Sequence, residues 1–180
     1  MSEERTYDEL AGVVDLFGAL TRSELERALE ELAFKRGRSA DGEALAGAVD
    51  GAVERYYLVT YRSGSDGGEP TESNAEVDPV GDESGAELVT PGPVAFPTLP
   101  PNAEDLPHIL DVESRTIDRR ALGTQVCERL RGDAARAVAA DDRDRVERLI
   151  DVSYDLEAWA PVDVAPERER LASALDGLDG

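Results

Sequence analysis

The side chains that usually carry catalysis at neutral pH are almost missing. His108 and Cys127 are the only histidine and the only cysteine in 180 residues. Neither has a neighbour in sequence that would make it a general base, a nucleophile or a metal ligand. There is no phosphate-binding glycine loop and no histidine–carboxylate cluster at ligand spacing. Carboxylates are the opposite case. With 40 of them, pairs occur at every spacing, and spacing cannot single out an acid and a base. An enzyme built from this chain would run on carboxylates alone, so the expectation is a protein that is not an enzyme and takes no cofactor and no metal. His108 lies in a proline-rich stretch and reads as a surface or packing residue; Cys127, beside Val126, reads as a small buried hydrophobe.

Recognition chemistry has more material. Tyr56, Tyr57 and Tyr61 supply three of nine aromatic residues within six positions. On a strand, Tyr57 and Tyr61 share a face with Val59 while Tyr56 points the other way with Leu58. One face is then core, and the alternative is an aromatic patch for a protein partner. Arginines gather at Arg115, Arg119, Arg120, Arg129, Arg131 and Arg136. Helical i,i+3 and i,i+4 pairs with Asp118, Glu128 and Asp133 account for them at about 0.2 to 0.5 kcal/mol each, and the competing reading is a basic face. The candidate interaction residues are therefore Tyr56, Tyr57, Tyr61, Arg119 and Arg120.

The elements that must position them follow from period and punctuation. Thr6-Tyr7-Asp8-Glu9 fits a capping box ahead of Leu10, Val13, Val14, Phe17 and Leu20 at helical spacing. Thr21-Arg22-Ser23-Glu24 repeats the box for a second helix with Leu25, Ala28, Leu29 and Leu32, which Gly37 would close, with Lys35, Arg36 and Arg38 at its negative end. A third helix runs from Asp41 through Val53, and Tyr56 to Tyr61 reads as a strand. Residues 63–86 combine Gly, Ser, Pro and acid with little to bury and read as an acidic disordered loop. A second strand, 87–90, pairs back across it as a β-hairpin. Residues 91–112, rich in proline, read as an extended strap whose Val94, Phe96, Leu99, Leu106 and Ile109 pack onto the domain. Helices at about 116–131, continuing toward Ala140, then 142–159, and a last one opened by Pro166, make a C-terminal helical unit over 113–180.

Helix, corner, helix, turn, helix and hairpin is the order of a winged helix, and residues 1–62 with 87–90 resemble that fold. The expected fold class is mainly α with a small β-hairpin: a winged-helix-like N-terminal module plus a C-terminal helical unit. A DNA-binding member would put its third helix into the major groove and rely on arginine and lysine against phosphate. Here the outward positions would be Glu43, Gly47, Asp50 and Glu54, which repel phosphate, and the hairpin tip carries Asp66, Glu69, Glu72, Glu76 and Asp78. Direct DNA binding is possible but disfavoured.

Charge bounds the setting. There are 19 bases against the 40 acids, all but Lys35 being arginine, for a net charge of −21. In molar salt the Debye length is about 3 Å, so such a surface hardly repels itself while its carboxylates hold water. That reads as adaptation to a salt-rich cytoplasm rather than as a site for basic partners. One cysteine excludes an internal disulfide, and no apolar run suits a signal core or the roughly 20 residues of a membrane span. The expectation is a cytoplasmic protein without membrane contact.

The run Asp8-Glu9-Leu10-Ala11-Gly12-Val13-Val14-Asp15-Leu16-Phe17-Gly18-Ala19-Leu20-Thr21, with Glu31 to Gly37, Tyr56 to Val59 and Leu156-Glu157-Ala158-Trp159, resembles a family of small acidic haloarchaeal proteins of unknown function. The resemblance implies the salt-rich setting and carries no activity, substrate or catalytic residue. The functional expectation is a non-enzymatic protein-interaction or regulatory-accessory module with a protein partner or self-association, because apolar contacts survive the salt that screens ionic ones. A DNA-binding regulator of winged-helix type is the alternative and a carboxylate enzyme the third.

Overall fold

The structure is a computed structural model and describes residues 2–37, 41–62 and 87–178. The acidic loop expected over 63–86, with its hairpin tip, and Arg38 lie outside the described residues. The described chain is mainly helical, with seven helices and one small antiparallel sheet.

Helix α1 (Glu3–Asp15) starts ahead of the Thr6 box. Ser2 holds the N-cap position, Glu3 and Glu4 fill the first turn where the helix dipole favours acid, and Thr6 bonds Ser2 O from inside the helix. The second box forms as read: before α2 (Arg22–Lys35), Thr21 Oγ1 accepts from Glu24 N at 3.2 Å and Glu24 Oε2 accepts from Thr21 N at 2.7 Å. Gly37 follows α2 at φ +66°. Asp41 caps α3 (Gly42–Glu54) through Glu43 N and Ala44 N.

The sheet has a strand beyond the expected hairpin. Its order is β1 (Leu20–Thr21), β3 (Leu88–Pro91), β2 (Leu58–Tyr61), with Leu20 opposite Val89 and Val59 opposite Thr90. Two residues are too few for a readable alternation, and Thr21 doubles as the α2 cap.

The tyrosine strand also starts later than expected. At the end of α3, Tyr56 N donates to Val53 O at 3.2 Å and Tyr57 N to Ala52 O at 2.9 Å. This is the paired bonding of a Schellman turn, and Tyr56 occupies its left-handed position at φ +65°, where glycine is usual. The reversal breaks the expected alternation. Tyr56 joins Val59 and Tyr61 in one core, while Tyr57 and Leu58 join the other.

Those two cores organise the molecule. The first joins α1, α2, α3 and the sheet through Leu10, Val14, Phe17, Leu25, Val49 and Leu58. The second joins α5 (Arg119–Ala139), α6 (Arg143–Trp159) and α7 (Ala165–Leu178) through Leu122, Leu130, Val146, Leu156 and Leu171. Burying each such side chain contributes about 1.5 to 3 kcal/mol relative to exposure.

The strap is only partly as expected. Leu106 and Leu110 are buried in the first core, but 106–109 forms a short helix, α4 (Leu106–Ile109), and Phe96, Leu99 and Ile109 face outward. The strap's backbone is fixed by α1 instead: Asp8 Oδ1 accepts from Phe96 N at 2.9 Å and Asp8 O from Thr98 N at 3.0 Å. Gly12 permits this contact, since a Cβ there would lie 2.2 Å from Thr98 O. The fifth helix begins at Arg119, with Asp118 as its cap, so Ile117 precedes it.

Candidate functional site

One buried carboxylate lies where the two cores meet. Asp133, on α5, is 4% exposed. Tyr56, 1% exposed, donates its hydroxyl to Asp133 Oδ2 at 2.6 Å. Arg136 bonds Asp133 Oδ1, Arg129 Nε lies 3.6 Å from Oδ2, and Arg145 reaches within 4.0 Å. The Arg129 guanidinium also stacks 4.1 Å from the Tyr56 ring centroid and donates to Val53 O at 2.5 Å, while Arg145 Nη1 pairs with Glu54 at 2.9 Å. Burial, and then the hydrogen bond to Asp133, raise the Tyr56 phenol well above its ordinary pKa. The carboxylate's neighbours are all side chains of the fold. The arrangement ties the C-terminal cap of α3 to α5 and α6.

A second tie lies at the other end of the sheet. Arg115 grips Glu24 with both nitrogens, at 2.6 and 2.8 Å, and donates to Ala19 O at 3.2 Å. The guanidinium holds the Glu24 carboxyl below its ordinary pKa. A third tie is the amide exchange of Gln125 with the Arg62 backbone at 3.1 and 2.8 Å.

The structure does not gather the five candidate interaction residues into one patch. Tyr56 is internal. Tyr57 is half-buried with its ring 5.2 Å from that of Tyr7, and Tyr61 packs on the second core. Arg119 stacks on Trp159 at 4.8 Å, and Arg120 is exposed on the first turn of α5. Of the wider arginine group, Arg129 and Arg136 meet Asp133 at the expected helical spacing, whereas Arg115 and Arg131 reach across the fold to Glu24 and Glu167. Asp118 serves as a cap.

His108 is exposed on α4. Cys127 is buried, which raises its thiol pKa. Among the described residues no three His, Cys, Asp or Glu side chains stand together as a metal site, and no helix is long and apolar enough to cross a membrane.

The exposed surface holds what the sequence reading missed. Two of the three phenylalanines, Phe34 at 78% and Phe96 at 80% exposure, lie outside both cores, and Leu99 is half exposed. The signal for Phe34 was available: it falls off the stripe formed by Leu25, Leu29 and Leu32. Near these residues Lys35 pairs with Asp105 at 3.2 Å and Arg36 donates to Pro101 O, which fixes the end of α2 to the strap. The outward side of α3 carries Glu43, Gly47, Asp50 and Glu54, with Asp50 paired to Arg22 at 2.7 Å.

No curated protein and no solved structure matches the chain. A family model matches residues 8–176, nearly its whole length, so the chain belongs to DUF7109, a family of unknown function.

Proposed function

We propose that the protein is a non-enzymatic interaction module, a regulatory accessory that engages a protein partner or a second copy of itself through apolar side chains in a salt-rich cytoplasm. The observation that carries the reading is the ordered exposure of Phe96. Asp8 fixes the backbone on both sides of it, yet its ring is held in water, forgoing the roughly 1.5 to 3 kcal/mol that burial would return. With the backbone fixed before binding, only the two side-chain torsions of Phe96 are left to order on docking, which suits an interface anchor. Phe34 and Leu99 supply further apolar surface, and apolar contact persists at the ionic strength that the net charge of −21 suits.

In this reading residues 1–62 with 87–90 are a winged-helix-like module put to protein contact. The carboxylates on the outward side of α3 oppose phosphate and so weigh against DNA. The test compares wild type with a Phe34→Ser/Phe96→Ser variant in pull-downs from native high-salt lysate, with and without nuclease, alongside sedimentation of the pure proteins. Partners or self-association that survive nuclease and vanish in the variant support the reading. Recovery of DNA, or partners lost on nuclease treatment, overturns it in favour of a DNA-binding regulator.

A further inference from the structure

The two edges of the sheet are finished differently. Hydrogen bonds in an antiparallel ladder alternate, so successive residues of an edge strand turn their backbone groups inward and then outward. Along β1 the outward groups are taken: Thr21 N donates to Glu24 Oε2 at 2.7 Å, and Ala19 O accepts from Arg115 at 3.2 Å. On β2, Gly92 N donates to Tyr57 O at 2.8 Å, and the register then pairs Val59 with Thr90 and Tyr61 with Leu88 through their inward groups. Leu58, Thr60 and Arg62 therefore face outward. Leu58 is fully buried. Arg62 is capped by Gln125, whose side-chain amide accepts from Arg62 N and donates to Arg62 O in exposed bonds, the same exchange that a neighbouring strand would make. The N–H and C=O of Thr60 have no hydrogen-bond partner among the described residues. A cavity of about 380 Å³ opens alongside, lined by Thr60, Arg62, Gln125 and Val126, so α5 leaves this part of the edge uncovered.

We infer that β2 is a dimer edge: it pairs antiparallel with β2 of a second copy about a two-fold axis at Tyr61, once Gln125 swings aside. The register follows from the two rungs within reach. They lie two residues apart, so a two-fold at the residue between them sets Thr60 of each copy against Arg62 of the other, and each outward N–H meets a C=O. A register shifted toward the start of the strand would need Leu58, which is buried. The second copy is the occupant that the pattern names, because it carries the same donors and acceptors at the same spacing. It also sets Tyr61 opposite Tyr61 as a non-hydrogen-bonded pair, the position at which cross-strand side chains lie closest. The two three-stranded sheets become one. This contact does not rest on the Phe34 and Phe96 surface.

The test is sedimentation equilibrium of the full chain in molar salt, where a Debye length of about 3 Å lets two copies of net charge −21 meet. One strand edge is a small contact, so dimer is expected from about 0.1 to 1 mM protein. Thr60→Pro deletes an N–H that the β2–β3 ladder does not use, so the strand keeps its pairing while the dimer should be lost. Gln125→Ala removes the competing cap and should tighten the dimer about tenfold, because neither copy then gives up two hydrogen bonds. Phe34→Ser/Phe96→Ser should leave the dimer unchanged, which separates this edge from the apolar surface proposed above. Amide exchange adds a reading that needs no variant: the Thr60 N–H of the wild type should slow as protein concentration rises. A chain that stays monomeric at about 1 mM in both wild type and Gln125→Ala overturns the inference. So does a dimer that folded Thr60→Pro retains, one that Phe34→Ser/Phe96→Ser abolishes, or a Thr60 amide whose exchange is independent of concentration.

Discussion

Replacing Asp133 by alanine should cost about 3 kcal/mol, the low end of the 3 to 5 kcal/mol for breaking a buried charged pair. The figure follows from what each partner keeps. Arg136 is largely exposed and swings into water, Arg145 retains Glu54, and Arg129 retains the carbonyls of Val53 and Glu54. The loss therefore falls mainly on the Tyr56 hydroxyl, buried with no other acceptor in hydrogen-bond contact among the described residues, and on half-buried Arg129. Tyr56→Phe removes one hydrogen bond to a charged acceptor and should cost about 1.5 kcal/mol, because the arginines still satisfy the carboxylate. The double variant orphans neither group, so its cost should stay near about 3 kcal/mol rather than the sum of about 4.5 kcal/mol. Urea titration at fixed salt reads this directly: with a slope of about 2 kcal/mol per molar, Asp133→Ala lowers the midpoint by about 1.5 M and Tyr56→Phe by about 0.75 M. An Asp133→Ala midpoint within about 0.25 M of wild type, or single effects that simply add, would refute the claim that this cluster ties the cores together.

Tyr56 also sets an alkaline limb. Its folded pKa is raised, so its stabilisation is complete below the unfolded value of about 10 and is lost as pH climbs from there toward the folded value; the slope is about 1.4 kcal/mol per pH unit, and Tyr56→Phe should flatten it in pH-dependent urea titrations. Glu24 does the reverse at the acid end. Its folded pKa is depressed, so its contribution is present above the unfolded value of about 4.3 and is lost as pH falls through the folded one. Arg115→Met should therefore be less stable than wild type at neutral pH, with the gap closing in acid unfolding curves. Glycines give a contrast of sign. Gly47→Ala, in open space on α3, should raise stability by about 0.5 to 1 kcal/mol. Gly12→Ala, driven against Thr98 O, should lower stability and release the strap, seen as faster amide exchange at Phe96 and Thr98.

What could be read from sequence was local. The Thr21 box, the start of α3 at Asp41, the Gly37 turn and the acidic outward side of α3 each depend on residues within one or two turns of each other, and all stand as the pattern implied. The failures have a shared physical origin in contacts between distant residues. Glu24 looked complete as a box acid, yet it also receives Arg115 from 91 positions away. Asp133 looked like a surface partner for arginines until Tyr56, 77 positions earlier, was placed against it. A tyrosine in a left-handed turn has no signature, because local preference disfavours it and only the tertiary bonds hold it there. Prolines rightly argued against a long helix through 91–112, but they do not say which way Phe96 turns; Asp8 decides that.

Strand β2 gives Leu58 to one core and Val59 with Tyr61 to the other. Neither half of the chain therefore owns a complete interior. Cleaving the backbone between residues 112 and 113 would not release two self-sufficient pieces: the helices after the cut would lose the wall that Tyr56 and Val59 build, and the sheet would be left with a naked apolar side. Melting should accordingly spread from either end through this strand to the rest, so that the molecule is lost in one step and its slowest-exchanging amides lie in β2 rather than in the longer helices.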